Sequence, residues 1–383
     1  MILIAGGGIF GVTAALELRA RGHDVMLCDP GALPHPRAES TDISKVVRCD
    51  YGADLLYTQL GERSLEGWRR WNEQRALYHE TGVTFLSRAP MQPGGFEHDS
   101  FALLTARGHR IERLDEAAIA RRFPAYRPGA LVDGYFHTEG GWAESGNVVA
   151  HLAARARDAG VIIREHCAVD RLVDDGAFAG DEHLRADTVV VCAGSWTPRL
   201  LPELTALRAI GQPVFHFQPS DPSLFEASRF PVFGAAIAET GYYGFPLTDG
   251  IVKIANHGTG REIAAAERDT VTVTAAQVEH VRAFVRDLFP SLGDAITHTR
   301  CCVYGDSLDG HFWIAPHPER SKLVVAAGGS GHAFKFAPVL GELIANAVEG
   351  TVVERFRWRT LDHGSRGDAA RAHASPRVGE AVD

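Results

Sequence analysis

Apolar residues fall along this chain in two rhythms. Unbroken apolar runs of strand length occur at Met1 to Ala5, Val25 to Cys28, Thr188 to Cys192 and Leu323 to Ala327. A strand covered on both faces has no polar side, so these runs predict the buried strands of one sheet. Helical spacing follows the first run, with Val12, Ala15, Leu16 and Leu18 ahead of a Gly22 stop. The same period predicts helices within 54–80 (Leu56, Leu60, Trp68 and Trp71 on one face), over most of 98–123, after Ser145, at about 275–289 before Pro290, and from Pro338 to about Val348. Pro338 suits a first helical turn. Shorter strand-like pieces lie at 82–90, 130–142 (a strand or hairpin), Val161 to Glu165, Ala168 to Val173, Pro213 to Gln218, Ala235 to Glu239, Tyr242 to Phe245 and Ile251 to Ala255, and the chain returns through Val303 and Tyr304.

Three of the buried runs end in glycine. The first meets Gly6, Gly8 and Gly11 in the spacing G-x-G-x-x-G, and the second strand ends at Asp29, eighteen residues after Gly11. Gly6 permits the tight turn, Gly8 lets a pyrophosphate approach the backbone, and Gly11 lets helix and strand pack closely. The helix N-terminus offers free N–H groups to phosphate, and Asp29 can accept from a ribose hydroxyl. Strand, glycines, helix, second strand and acid agree on dinucleotide binding, without separating NAD from FAD. Gly194 follows the Thr188 run, and Gly328, Gly329 and Gly331 follow the Leu323 run. The fold class expected is α/β: a Rossmann-type nucleotide domain (1–80, 146–210 and 305–360) interleaved with a mixed-sheet substrate domain (81–145 and 211–304), then a polar tail at 361–383. Residues 30–52 are turn-rich and become basic at Lys45 and Arg48. They read equally as a surface loop or as an arm crossing a cofactor face.

Composition narrows the partners. The chain has 383 residues, 45% hydrophobic and 23% charged, with a net charge of -9, which argues against nucleic acid. Its six cysteines are scattered and give no disulfide framework. Eighteen histidines include no H-E-x-x-H and no paired C-x-x-C accompanies them, so no metal is expected. The first strand leaves no room for a leader, and no apolar run reaches membrane-spanning length, so a cytoplasmic protein off the membrane is expected.

Several strings, in order, carry a resemblance: GGGIFG with Asp29, SKVVRCDYG, CAGSW, YYGFP, VKIANH, CCVYGDSLDGHF and AAGGSGHAFKF. Across residues 1 to about 350 the chain resembles the FAD-dependent amine oxidases of the D-amino-acid-oxidase superfamily, in particular the monomeric sarcosine oxidase and N-methyltryptophan oxidase group. The resemblance implies a glutathione-reductase-like FAD domain in a monomer. It implies that FAD lies against Gly6, Gly8, Ile9, Phe10, Gly11, Asp29, Ser44, Lys45, Val169, Gly194, Trp196, Cys302, Gly329, Gly331, His332 and Lys335. In this group a cysteine in such a C-x-Y string carries the flavin through its 8α-methyl, a position held here by Cys302 rather than Cys301. Alternatively the two are adjacent buried thiols and FAD is held by contacts alone.

The same resemblance gives Lys253 the place of a lysine near flavin N5 that promotes reaction with O2, and a cation there would stabilise developing negative charge. His257 and Tyr243 match residues beside the substrate, and Arg48 with Lys335 match the pair that grips its carboxylate. Lys45 departs from the sarcosine oxidase pattern, which has arginine there. Asp42 to Lys45 form a D-x-x-K string that looks like the corresponding arm of fructosyl-amino-acid oxidases. The expected reaction is oxidation of an N-substituted or cyclic amino acid to its imine, with O2 reduced to H2O2. Three alternatives stand beside it: a fructosyl-amino-acid oxidase or biosynthetic amine oxidase or dehydrogenase acting on a larger amine, an NAD-dependent oxidoreductase, and a non-enzymatic flavin-binding protein.

Overall fold

The structure is a computed structural model that describes residues 1–361; beyond Leu361 the expected polar tail lies outside the described residues. The buried runs form the centre of a six-stranded sheet in the order Trp313–Pro316, Leu323–Ala327, Thr188–Val191, Ile2–Ala5, Val25–Cys28 and Ile162–Arg164. Its strands are parallel except the Trp313–Pro316 edge. Both faces are covered, which is why these runs carry no polar alternation. The helix Ile9–Ala20 leaves the first strand through Gly8, and the helix Ala337–Val348 packs across it. That crossing is tight: a Cβ on Gly341 would lie 2.5 Å from the Thr13 carbonyl oxygen.

A second sheet of nine strands stands beside the first. Its spine is Leu207–Phe217, paired antiparallel with Ile296–Ser307 on one edge and with Val252–Asn256 on the other. Alternation sorts its faces. Phe215, Phe217, Val252 and Ile254 join the aromatic core over the helix Ala275–Leu288. Val214, Ala255, Cys302 and Tyr304 point the other way, into a small cluster with Tyr243. Two three-stranded sheets complete the fold, one from Arg171–Val173, Gly176–Ala179 and Glu182–Arg185, the other from Lys45–Val47, Gly141–Ala143 and Tyr78–His79.

Several local expectations are corrected. Residues 98–123 are not one helical stretch: Phe96–Ala106 is helix, Ile111–Asp115 is strand and Glu116–Arg122 is helix. The strand has one buried side chain, Leu114, so it carries almost no apolar signal; its pairing with Asp133–His137 decides it. Residues 130–142 make no hairpin, because Asp133–His137 and Gly141–Ala143 join different sheets. Ala235 to Glu239 is not a strand either. Val232–Ala235 is, and Ile237–Thr240 then turns into a short helix through Ala236, held at a φ of 46°. The helix begun at Leu55 ends at Asn72, and the strand expected from Ala168 begins only at Arg171.

Gly341→Val is expected to lower stability by about 1–3 kcal/mol through overpacking of the helix crossing. Urea unfolding checks it: the midpoint should fall while the slope stays the same.

Candidate active site

The glycine junctions meet in one cavity of about 460 Å³ between the two large sheets. Gly6, Gly8, Ile9, Phe10, Asp29, Lys45, Val169, Gly194, Trp196, Gly329 and Gly331 all line it. Gly6 has φ 110° and a Cβ there would fall 2.4 Å from the Cys192 carbonyl oxygen, so only glycine makes this turn. Gly11 does not reach the cavity. Its missing Cβ lets the helix rest on the Gly6 carbonyl, 1.8 Å from where that Cβ would be. Asp29 is buried, and each of its carboxylate oxygens accepts a backbone N–H, from Gly7 at 2.8 Å and Gly31 at 3.0 Å. That fixes the carboxylate at the cavity wall with lone pairs remaining. Glu39 also faces the cavity and accepts from the Gly305 N–H at 3.1 Å; burial pushes its carboxyl up to about 7.

A smaller cavity of about 60 Å³ adjoins the first, and Lys45, Gly331 and Phe334 line both. The smaller one collects Arg48, Tyr243, His257, His332 and Lys335, with an apolar wall of Val83, Phe85, Val232, Phe233 and Ile237. The Arg48 guanidinium is buried among the rings of Tyr51, Phe85 and Phe96, at 4.9, 5.2 and 5.5 Å, and its Nη1 has no hydrogen-bond partner. Lys335 donates to the Tyr51 hydroxyl at 3.0 Å and the His332 carbonyl at 2.8 Å. The Tyr51 hydroxyl lies 3.0 Å from His332 Nδ1, and His332 Nε2 lies 2.9 Å from the Gly310 carbonyl. Because a carbonyl only accepts, this chain assigns the proton to Nε2 and makes Nδ1 the acceptor of the Tyr51 hydroxyl. Tyr51, missed in the sequence, thereby aims Lys335. Tyr243 and Tyr304 face each other at 3.4 Å across the junction of the cavities.

The arm 38–47 crosses the open face of the nine-stranded sheet and is tied down by two cations. Arg300 donates to the carbonyls of Thr41 and Ala38. Lys253, 2% exposed, donates to Asp42 Oδ2 at 2.6 Å and to the Ser44 carbonyl at 2.5 Å, its ammonium 4.6 Å from the Phe245 ring. Lys253 and Ser44 line neither cavity. Lys45 Nζ sits 3.9 Å from Asp42 and 3.9 Å from Cys302 Sγ. Burial and Lys45 push the Lys253 ammonium down to about 8 against the pull of Asp42, while Lys253 and Lys45 hold the Asp42 carboxyl below its ordinary range despite burial. Strand alternation separates the adjacent cysteines: Cys302, which lines neither cavity, packs with Tyr304 and Ala255 on one face, and Cys301 packs by Gly211 on the other.

Residues 1–347 match the DAO family model, described as FAD dependent oxidoreductase. The chain belongs to this family. As a member of it, the chain is an FAD-dependent oxidoreductase. It is 29% identical over 361 residues to N-methyl-L-tryptophan oxidase of Escherichia coli O127:H6, covering 90% of this chain and 94% of that protein. The Salmonella arizonae N-methyl-L-tryptophan oxidase matches equally, at 29% over 362 residues. Among solved structures, fructosyl peptide oxidase from E. terrenum superposes with a TM-score of 0.83 at 21% identity, over 96% of this chain and 95% of that one. A mutant of NikD, an unusual amino acid oxidase essential for nikkomycin biosynthesis, superposes with a TM-score of 0.81 at 22% identity, over 94% and 98%. These two likenesses speak for the fold.

The residues present fit the family's FAD. The larger cavity has the size of a small-molecule site, the helix facing it starts at Gly8 with the Ile9 N–H donating to Ser40 Oγ at 2.9 Å, and Asp29 stands at the second strand's end. Elsewhere, Cys49, His109 and His137 bring three possible ligand atoms within 4.8 Å of one another. Both His109 nitrogens already meet carboxylates there, of Glu139 at 2.8 Å and Glu62 at 2.9 Å. Among the described residues no helix is long and apolar enough to cross a membrane.

Removing Asp42 should expose the cost of the buried Lys253. Taking one partner from a buried pair costs about 3–5 kcal/mol, so Asp42→Asn is expected to lose that at pH 7. The Asp42 carboxyl titrates below its ordinary 3.8 in the fold. Its stabilisation is thus complete above that value and disappears as pH falls through the depressed one. Urea titrations at pH 7 and pH 3 should show the gap between variant and parent narrowing in acid.

Proposed function

We propose that the protein oxidises the C–N bond of an N-substituted amino acid, with O2 as acceptor and H2O2 as product. One observation carries this reading: a buried Arg48 with an unpaired Nη1 and a buried Lys335 share a cavity that opens onto the cofactor cavity. Burying two cations in one cavity is costly, and an arriving anion offsets part of that cost. A substrate carboxylate supplies it, taking a fork from Arg48 and a point charge from Lys335. The relatives named for N-methyl-L-tryptophan put a secondary amine on such an acid, and the Phe85, Phe233 and Ile237 wall suits an apolar side chain beside it.

FAD, when bound, would supply the acceptor for the hydride leaving the carbon next to nitrogen. The protein's own work is placement. Gly6, Gly8, Ile9, Phe10, Asp29, Val169, Gly194, Trp196, Gly329 and Gly331, which line the larger cavity, would hold the cofactor. Tyr243 and His257 line the substrate cavity together with Arg48. Lys253, backed by Asp42, places a buried cation under the arm where O2 would gain electrons, and Lys45 adds a second. We read Cys302, not Cys301, as the cysteine that carries the flavin, because it shares the Tyr304 side of its strand. The D-x-x-K arm keeps a second reading in view, a larger or glycated amino acid; Lys45 in place of arginine is the observation that favours it.

An anaerobic screen of N-methyl, cyclic and glycated amino acids tests the reading, with bleaching of flavin absorbance as the signal. Bleaching by none of them would remove it. Arg48→Met is expected to keep its flavin and raise the substrate concentration needed for half-maximal bleaching by about tenfold to a hundredfold, corresponding to a charge-assisted hydrogen bond of about 1.5–3 kcal/mol. On acid denaturation, flavin should stay with the precipitated parent protein and pass into the supernatant from Cys302→Ser.

A further inference from the structure

The face of the nine-stranded sheet below the arm carries one row with no counterpart in the roles above. Lys253 on its strand is the register partner of His216, and His216 is the register partner of His298 on the next strand. Direct partners point to the same face, and here it is the face of Val214, Cys302 and Tyr304, opposite the Phe215 and Phe217 core. The row runs from inside to outside. Lys253 is 2% exposed and His216 8%, while His298 is exposed. The His216 and His298 rings lie 5.0 Å apart. His216 Nε2 is buried with no hydrogen-bond partner, which is unusual for a nitrogen that must donate or accept.

Turnover creates a need for such a row. Reducing O2 to H2O2 takes two electrons and two protons. A hydride taken from the amine carbon carries both electrons and one proton; the amine N–H proton passes to solvent as the imine forms, and the second proton of H2O2 is drawn back from solvent. We propose that the row Lys253–His216–His298 is the path of that proton, with His298 taking it from water, His216 passing it through its two ring nitrogens, and Lys253 passing it by way of Asp42, 2.6 Å away, to Lys45, which lines both cavities. His216 acts through Lys253 and is a positioning residue. The inference rests on the oxidase reading above.

The charged groups around His216 are Asp42, Lys253, His298 and Arg300, and burial with the three cationic or titratable neighbours pushes its imidazole down to about 4. It is therefore neutral at pH 7, the state in which one nitrogen accepts while the other donates. Lys253, near 8, can give up and regain a proton in the working range, so each passage returns the row to its starting state.

The test uses the holoenzyme and separates the half-reactions. In His216→Phe, which keeps a ring and removes both nitrogens, anaerobic bleaching by the amine should match the parent. Reoxidation by O2 should fall about tenfold or more, below the usual contribution of a positioned proton donor. It should also show a larger solvent deuterium effect than the parent and recover with added imidazole. His216→Gln serves if the phenylalanine variant does not retain flavin. Reoxidation within twofold of the parent in either variant overturns the proposal. A readout apart from turnover comes from ¹⁵N-histidine NMR of the resting oxidised protein: the His216 signals should move between pH 7 and 9 as Lys253 titrates, and stay fixed in Lys253→Met. Signals in the parent that ignore that pH range overturn the row even if amines bleach the flavin. Failure of every amine to bleach it strikes the oxidase reading instead.

Discussion

A buried ammonium pinning a loop to a sheet is the interaction on which the rest of the site depends. Lys253 leaves a strand whose other face is aromatic core and spends its hydrogen bonds on Asp42 and the Ser44 carbonyl. Other ties hold the arm elsewhere: Arg300 at the carbonyls of Ala38 and Thr41, Ser145 and Gly146 at the Asp42 carbonyl, and strand pairing from Lys45 onward; Lys253 is the group that holds the Asp42 carboxylate and the Ser44 carbonyl. The arm carries Glu39 and Ser40 to the cofactor cavity, Lys45 to the boundary, and Arg48 to the smaller cavity. That cation thus joins the strand pairing and the backbone ties in setting the position of groups on a turn-rich stretch. A buried pair of this kind is poor value as stability, because desolvation consumes most of its attraction. Its merit is geometric, since a carboxylate and a carbonyl together accept the ammonium in one arrangement.

The second constraint is the period of two along the strands that face the arm. On Val252–Asn256 it places Val252 and Ile254 in the core and Lys253 and Ala255 under the arm. On Ile296–Ser307 it does the same for Cys302 and Tyr304 while sending Cys301 away. A slip of one residue would exchange every chemical group for a core side chain. The aromatic core guards against it: phenylalanines at 215, 217, 284 and 289 fill the opposite side, and their burial fixes the register that the polar face needs.

Much of the arrangement was legible because its signals are local. The four apolar runs became adjacent strands because a doubly covered strand must be apolar throughout, and the glycine spacings located the cavity because only glycine tolerates the turn at Gly6. What was not legible depends on pairing. Ile111–Asp115 shows one inward residue, too little for any period to register. Residues 130–142 divide between sheets at a point that turn chemistry does not mark. The tie between Lys253 and Asp42 spans more than two hundred positions, and nothing in a D-x-x-K string announces its partner. Tyr51 escaped for a similar reason: it stands beside Arg48 in the sequence, yet its hydroxyl matters only because Lys335 and His332 arrive from the far end of the chain.

Charge balance decides how Lys45 should be read. An arginine at that position would present a planar fork, suited to stacking on a ring and to paired acceptors. Lysine gives a compact ammonium instead, placed 3.9 Å from both the Asp42 carboxylate and the Cys302 sulfur. Asp42 therefore serves two ammonium groups at once, and its carboxylate is held ionised by both. Because Lys253 is closer, Lys45 is left with the weaker share, and its field extends into both cavities that it lines. Arg48 and Lys335 add to that field from the substrate side, while Glu39, with its carboxyl pushed up to about 7, is only partly ionised at neutral pH and offsets part of it. The pocket is thus electropositive inside a protein of net charge -9. Such a contrast focuses the attraction for a small anion on one opening. It also makes the anion part of the folded site's own electrostatic balance, so selectivity for an acid-bearing substrate follows from the arm's anchoring and not only from the two residues that would touch it.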